Sequence, residues 1–199
     1  MSNIQFPAGM SKGESLDFLK NMGFNTIDYQ ICRKEAEVVD FLKARKMDRV
    51  GFSIRTQKDG EDNKSNFKYP FYLGIKNEEQ FAKISGELLK EGYTLIVSKT
   101  LDPEETVCKG TAVINSPENV LVEYITGPGT VRQLEEETPS QSNLYIFDSV
   151  RSPAWLREIF FFMVEKLCKE NIIVEWSYYP YPVGLLKQQL ILWELRPWQ

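Results

Sequence analysis

Two glutamates and one arginine near the end of the chain have the types and spacing to hold a cation and an anion together. Glu175 lies in the aliphatic segment 172–176, and Glu194 and Arg196 lie in the aliphatic segment 190–197. Residues two apart on a strand leave the same face of a sheet, as Glu194 and Arg196 would. Carboxylate oxygens suit Mg²⁺, and arginine suits phosphate. The pattern therefore predicts a site for a metal ion together with a phosphate group.

A purely structural explanation of these residues also exists. A carboxylate among aliphatic strand residues is costly to bury unless a cation offsets its charge. Arg196 could offset the charge of Glu175 in a structural ion pair. From the residues alone, both explanations stay open.

The chain contains no histidine, which restricts the chemistry it can perform. Ser-His-Asp and Cys-His catalysis, histidine metal sites and a phosphohistidine intermediate are all excluded on this chain. Cys32, Cys108 and Cys168 are widely spaced, and no CxxC pair exists, so neither a zinc site nor a disulfide framework is expected. Reactions must therefore use lysine, arginine, carboxylates, hydroxyls or a metal held by oxygen.

Length and composition are those of an ordinary globular protein. The chain has 199 residues, of which 42% are hydrophobic and 26% charged, enough for one domain or two lobes. Its net charge of −4 argues against a nucleic-acid surface. No apolar run is long enough to span a bilayer, and no signal pattern is seen. We expect a reduced, cytoplasmic protein without membrane contact.

The pattern of elements predicts an α+β fold with mostly antiparallel strands. Ser11 and Glu14 form a capping box that places Lys12 in the first turn of a helix, where a cation is unfavourable unless an anion also binds. Asn77 can cap another helix. Further helices are expected at 33–46 and 153–169, strands at 49–55, 94–101, 107–114, 120–125, 172–177 and 188–195, a mobile loop at 56–68 and a Tyr-Pro loop at 178–184. A soft boundary would divide the chain into lobes 1–115 and 116–199.

The C-terminal segments resemble a known domain. Residues 174–176 read Val-Glu-Trp and residues 192–197 read Leu-Trp-Glu-Leu-Arg-Pro. The nucleotide-binding domain of phosphoenolpyruvate synthase, which pyruvate phosphate dikinase and rifampicin phosphotransferase share, ends with an "IEW" strand, a short hairpin and "LQARP" or similar. Upstream, residues 9–16 resemble its "GGKGASL" start and residues 52–56 its "AVRSS" strand. Residues 22–26, 95–99 and 122–139 resemble "LGIPVP", "VVVQ" with a basic residue, and "IEYVWGLGEALVSGEVTP", so the order holds along nearly the whole chain.

This resemblance implies an ATP-grasp-like domain, with two α+β lobes and ATP between them. Lys12 and Arg55 would contact phosphates from the N-terminal lobe, and Lys99 would be the basic residue after "VVVQ". By the same resemblance, Arg196 would bind the triphosphate, and Arg55 and Arg196 would act in catalysis by offsetting phosphate charge. The metal ligands for Mg²⁺ would be Glu175 and Glu194.

Several residues depart from the family pattern. Glu194 stands where the family has glutamine, Gln57 replaces the second serine of "AVRSS", and Ser98 replaces the glutamine of "VVVQ". No counterpart of the swivelling phosphohistidine domain is present in the sequence. Phosphoryl transfer would therefore need a histidine-bearing partner protein or a small-molecule acceptor. The alternative is a degenerate ATP-grasp-like module that serves interaction or regulation without catalysis.

Overall fold

The computed structural model describes residues 10–58, 69–116, 119–126, 141–145, 157 and 172–197. The chain divides into two compact units. The first unit combines Met10–Glu14 with Ile27–Asp102, and the second combines Ser15–Thr26 with Pro103–Gln199. Among the described residues, no helix is both long and apolar enough to cross a membrane.

The first unit is a four-stranded antiparallel sheet with two helices. The strands are β1 (Tyr29–Cys32), β2 (Phe52–Gln57), β3 (Phe71–Ile75) and β4 (Thr94–Lys99), and the helices are α2 (Glu35–Ala44) and α3 (Glu78–Lys90). The strands lie side by side in the order β1-β4-β2-β3. The predicted capping of α3 is confirmed, because the Asn77 side chain accepts a hydrogen bond of 2.8 Å from the Gln80 amide.

Three phenylalanines form the centre of the core between this sheet and its helices. Phe41 comes from α2, Phe52 from β2 and Phe81 from α3, and all three are fully buried. Their ring centroids lie 4.9 to 5.9 Å apart, which is the contact range of aromatic pairs. The core therefore lies on the face of the sheet that carries Phe52. The opposite face carries Arg55 and Gln57.

The second unit contains a five-stranded antiparallel sheet. Its strands are β5 (Cys108–Ser116), β6 (Asn119–Thr126), β7 (Gln141–Tyr145), β8 (Ile172–Val183) and β9 (Gln188–Pro197), and they lie side by side in the order β7-β6-β5-β8-β9. Helix α1 (Lys12–Asn21) contributes its first turn to the first unit and the rest to the second. Fully buried Val174 and Trp176 alternate with Glu175 along β8, so its two faces differ in polarity.

Gly110 allows β5 and β6 to approach closely. A Cβ at this position would collide with the backbone carbonyl oxygen of Glu123 and would lie 2.9 Å from the Cα of Tyr124. Any larger side chain would therefore push β5 and β6 apart.

The predicted α+β, antiparallel fold is confirmed, with differences in individual elements. The expected Tyr-Pro loop at 178–184 is wrong in extent, because β8 continues to Val183 and only residues 184–187 form the turn. Tyr178 donates a hydrogen bond to Gln189, which in turn donates to the Pro180 carbonyl, and these bonds hold the extended hairpin. Strands β1, β3 and β7 were not expected from the sequence.

The first compact unit ends at Asp102, and the second continues from Pro103, because β5 pairs along its length with β6 and β8. The division into lobes 1–115 and 116–199 stays a prediction. The expected helix at 153–169, apart from Arg157, and most of the expected loop at 56–68 lie outside the described residues.

Candidate functional site

In the second unit, a polar row crosses the sheet through Glu175. Glu175 on β8 is in register with Glu194 on β9 and with Thr111 on β5. Thr111 is in turn in register with Glu123 on β6. Residues directly opposite on antiparallel strands project from the same face, with Cβ atoms about 4.5–5.5 Å apart. Two carboxylates from adjacent strands, Glu175 and Glu194, thus stand side by side.

Arg196 joins this pair from the same face of β9, as the spacing predicted. Its Nη2 lies 3.9 Å from Oε1 of Glu175, and the two side chains are 36% and 22% exposed. The structural ion pair that the sequence left open is therefore present, but it is long and partly solvated. Such pairs contribute about 1 kcal/mol or less to stability. Stability alone therefore gives little reason to place these charges together.

Glu194 is more deeply buried than the charged residues Glu175 and Arg196. Only 4% of this residue is exposed, although it lies beside the carboxylate of Glu175. Two like charges on adjacent strands repel each other, and burial makes the repulsion stronger. A bound cation would offset the repulsion between the two carboxylates.

Two buried polar atoms on this face lack hydrogen-bond partners within the described residues. They are Nε of Arg196 and Oγ1 of Thr111. Buried polar atoms without a partner are uncommon in proteins, and binding of an ion or a water is one explanation for them. The Arg196 donor suits an oxyanion such as phosphate. The residues present therefore fit a magnesium–phosphate group.

The acidic pair Glu175 and Glu194 has the number of carboxylates that a magnesium–phosphate site takes. No cluster of three or more acidic, cysteine or histidine side chains that could hold a metal occurs in the described part of the chain. Mg²⁺ characteristically takes one or two carboxylates and fills its remaining positions with water and substrate phosphates. The pair Glu175 and Glu194 supplies that number.

A β-bulge beside the pair sets the orientation of β9. The register passes from Glu175 opposite Glu194 to Trp176 opposite Leu192, which leaves Trp193 as the extra residue. The indole of Trp193 donates a 2.7 Å hydrogen bond to Oγ of Ser177. Bulges bend a strand and redirect the neighbouring side chains, and they are enriched next to functional sites.

Helix α1 fixes the other side of β9. The backbone amide of Leu195, between Glu194 and Arg196, donates a 2.6 Å hydrogen bond to Oγ of Ser15. Both residues are fully buried. The hydrogen bond from Leu195 to Ser15 thus fixes β9 at the residue between Glu194 and Arg196.

In the first unit, the structure places the first turn of α1 on the sheet face that carries Arg55. The Gly13 amide donates a 2.9 Å hydrogen bond to Oε1 of Gln57, which shares a face with Arg55 two residues earlier on β2. The guanidinium of Arg55 lies 5.5 Å from the ring centroid of Phe71. Lys12 and Arg55 therefore belong to one side of this sheet, opposite the phenylalanine core.

The start of α1 is capped by protein groups. The predicted capping box is confirmed, because the Ser11 amide donates to Glu14 at 2.8 Å and the Glu14 amide donates to the Ser11 hydroxyl at 3.3 Å. Gln57 accepts from Gly13 in addition, and sequence reasoning missed this role. The departure of residue 57 from the "AVRSS" pattern was the only signal at this position.

Lys99 is not brought together with Arg55. It pairs with Phe52 across β2 and β4, which puts its side chain on the opposite face of the sheet from Arg55. Its Nζ lies 3.6 Å from a carboxylate oxygen of Asp48. Lys12, Arg55 and Lys99 belong to the first unit and Glu175, Glu194 and Arg196 to the second. The single cleft expected for these residues stays a prediction.

The described cysteines are poor nucleophiles. Burial raises the pKa of Cys32 and of Cys108 to about 12. At pH 8, only about one thiol in 10⁴ would be ionised at that pKa. Neither residue therefore has the properties of a catalytic thiolate.

We expect this burial to protect both thiols from modification. In a Cys168→Ser variant at pH 8, a disulfide reagent such as dithionitrobenzoate should leave the folded protein unmodified and modify two thiols after unfolding in urea. The release of thionitrobenzoate at 412 nm, read with and without urea, measures this. Rapid modification of the folded protein would contradict the burial of Cys32 and Cys108.

Comparisons with known proteins show which solved structures share this fold. No protein family model matches the chain, and no curated protein matches its sequence. Among solved structures, N5-carboxyaminoimidazole synthetase from Staphylococcus aureus is similar, with 12% identity, a TM-score of 0.55, and coverage of 96% of this chain and 44% of that one. The chain has an ATP-grasp-like fold.

Two further structures support this conclusion. The same Staphylococcus aureus synthetase complexed with ADP gives 12% identity and a TM-score of 0.51, covering 94% of this chain and 43% of that one. D-Alanine-D-alanine ligase from Helicobacter pylori gives 11% identity and a TM-score of 0.53, covering 95% and 54%. The chain spans about half the length of these enzymes. The similarity shows the fold. It does not support membership of the phosphoenolpyruvate synthase family in particular.

Proposed function

We propose that this chain binds a magnesium–nucleotide complex and supports transfer of its terminal phosphoryl group to a separate acceptor. The observation that carries the proposal is the in-register pair Glu175 and Glu194 with Arg196 on the same sheet face. An ADP complex of a structure with this fold supports the choice of nucleotide. The proposal agrees with the resemblance of the same residues to the end of a nucleotide-binding domain.

Each side chain of the second unit has a distinct role in this proposal. Glu175 and Glu194 would hold the cation through their carboxylate oxygens, and Arg196 would bind phosphate oxygens through donors that include the buried Nε. A bound Mg²⁺ would neutralise phosphate charge and orient the phosphates for in-line transfer. The protein contributes fixed charges that need little rearrangement during transfer.

Lys12 and Arg55 are proposed to contact phosphate from the first unit. Both belong to the sheet side opposite the phenylalanine core, and Arg55 is only partly buried, which leaves its guanidinium able to reach a ligand. Lys99 is a weaker proposal, because it lies on the other face and has Asp48 at 3.6 Å. In this assignment Arg55 and Arg196 assist the transfer by offsetting charge.

We propose an acceptor group that lies outside these 199 residues. Because the chain has no histidine, no phosphohistidine can form on it. A small molecule is the acceptor class that the synthetase and ligase names of the similar structures favour. A histidine on a separate protein is the acceptor class implied by the resemblance to phosphoenolpyruvate synthase.

Replacing Glu175 by glutamine tests the metal site. We expect Glu175→Gln to lower the affinity for ATP in the presence of Mg²⁺ by about 30-fold, because a neutral amide oxygen is a weaker ligand than a carboxylate. The affinity for ATP in EDTA should hardly change. The nucleotide-free variant should be as stable as the wild type or slightly more stable, since repulsion from Glu194 is removed. Isothermal calorimetry and thermal unfolding measure these quantities.

A matched control and a contrary result can be defined for this test. Glu87→Gln removes an exposed carboxylate from α3 and should change neither binding nor stability. If Glu175→Gln lowers stability strongly and leaves Mg-dependent binding unchanged, Glu175 serves only as the ion-pair partner of Arg196.

A second candidate, an interaction module without catalysis, has one observation in its favour. The first amides of α1 are already bonded to Ser11 and Gln57, which leaves fewer backbone donors for a phosphate at this helix start. In the same calorimetric experiment, no binding by the wild type at millimolar ATP with Mg²⁺ would favour this candidate.

A further inference from the structure

Thr111 is the residue of β5 that stands directly opposite Glu175. The two are Cα partners in the antiparallel ladder, so the threonine hydroxyl and the glutamate carboxylate are neighbours on one face. Thr111 is only 5% exposed. It lies on the side of Glu175 away from β9, whereas Glu194 and Arg196 lie on the β9 side. Glu175 is therefore flanked by a charged strand and by a hydroxyl-bearing strand.

The Thr111 hydroxyl is buried without a hydrogen-bond partner among the described residues. Hydroxyl groups in this position are uncommon, because losing water without gaining a partner is unfavourable. The neighbouring carboxylate of Glu175 is an obvious acceptor, but its Oε1 lies within 3.9 Å of Arg196. The Glu175 carboxylate therefore lies between two groups: the Thr111 hydroxyl, to which it is not hydrogen-bonded, and the Arg196 guanidinium, with which it forms a long ion pair.

We propose that Thr111 is a positioning residue that holds Glu175 in its metal-binding orientation when a magnesium–nucleotide complex is bound. The inference rests on the proposed function. Phosphate oxygens would engage Arg196 at short distance and so release Glu175 from the long ion pair. The Glu175 carboxylate would then be able to hold the cation and to accept a hydrogen bond from the Thr111 hydroxyl. Hydrogen bonds of this kind fix the direction of a metal-binding carboxylate.

Glu123 is the competing acceptor, since it is in register with Thr111 on the other side. The distinction between the two can be measured by double-mutant cycles. If the hydroxyl serves Glu175, the effects of Thr111→Val and Glu175→Gln on Mg-dependent binding should be strongly non-additive. The effects of Thr111→Val and Glu123→Gln should add.

The central experiment compares Thr111→Val and Thr111→Ser in the full chain. Valine keeps the shape and removes the hydroxyl, whereas serine keeps the hydroxyl. We expect Thr111→Val to weaken binding of ATP with Mg²⁺ about tenfold and to leave binding of ATP in EDTA unchanged. Thr111→Ser should bind within about twofold of the wild type. The thermal midpoint of nucleotide-free Thr111→Val should equal or exceed that of the wild type, because an unpartnered hydroxyl is removed.

Each contrary result has a definite meaning. Wild-type affinity in Thr111→Val would overturn this inference and leave the proposed function standing. A lower thermal midpoint of nucleotide-free Thr111→Val would also overturn it, because the hydroxyl would then have a partner in the free protein. Equal weakening by Thr111→Ser would show that shape, and not the hydroxyl, matters. Absence of Mg-dependent binding in the wild type would overturn the proposed function and this inference together.

Discussion

Asn25→Ala should destabilise the second unit by about 3–4 kcal/mol, the largest stability effect we expect from a single side chain here. Its Nδ2 donates to the carbonyls of Val183, Gln188 and Leu190 at 2.8–3.2 Å, and its Oδ1 accepts from the Leu186 amide at 2.8 Å. Only 3% of Asn25 is exposed, so these backbone groups would lose a partner where water cannot easily replace it.

Urea denaturation followed by circular dichroism measures this effect. Asn25→Asp is a sharper variant, because it has nearly the same shape but replaces the donor with a carboxylate facing three carbonyl oxygens. It should be at least as unstable as Asn25→Ala. The control is Asn77→Ala, which removes a single exposed cap and should cost about 1 kcal/mol. Equal effects at the two positions would show that Asn25 does not fasten the β8–β9 hairpin.

Arg196→Met should reduce the affinity for ATP with Mg²⁺ by 100-fold or more, the largest binding effect we expect. The substitution removes the proposed phosphate donors and leaves Glu175 beside buried Glu194 without the neighbouring guanidinium. Charge-assisted bonds to phosphate are among the strongest in proteins. The loss of the nearby cation should also lower the stability of the nucleotide-free protein slightly, by about 1 kcal/mol or less, because the ion pair is long and partly solvated.

Adding Mg²⁺ without nucleotide separates the loss of ATP affinity in Arg196→Met from its loss of stability. Millimolar Mg²⁺ should recover much of the lost stability of Arg196→Met, because it screens the two carboxylates, while nucleotide binding stays weak. Arg157→Met removes an exposed arginine and should leave both properties unchanged. Arg196→Met with wild-type affinity for MgATP would remove Arg196 from the proposed site.

The part of the site that the sequence predicted follows from local rules. The strand period of two places Glu194 and Arg196 on one face, and Ser11 with Glu14 marks the helix that carries Lys12. Both predictions depend on neighbours within a few residues. They needed no knowledge of which strands lie side by side.

The remaining parts depend on register between distant segments. That Thr111 stands opposite Glu175, and that Asn25 bonds to the β8–β9 hairpin, follows from pairings between residues 64 to 165 positions apart. The bulge at Trp193 inserts a residue that no alternation pattern indicates. The continuation of β8 past Pro180 and Pro182 runs against the usual exclusion of proline from strands.

The placement of Lys99 shows the same limit. Alternation along β4 is uninformative, because residues 94–98 are buried on both faces of the sheet. Only the pairing of Lys99 with Phe52 tells which face it takes.

The discontinuous second unit has a consequence for the order in which the protein can fold on the ribosome. The first unit is complete in sequence once Asp102 has been synthesised, and its sheet joins segments within residues 27–102. Ser15 and Asn25, in contrast, must wait for Leu195 and Leu190, more than 160 residues later. Domains tend to fold as units during synthesis, and long-range pairing is slow. The rest of α1 should therefore remain without its strand partners until β9 has been translated, so nascent chains halted before β9 would be the ones most exposed to chaperones and proteases.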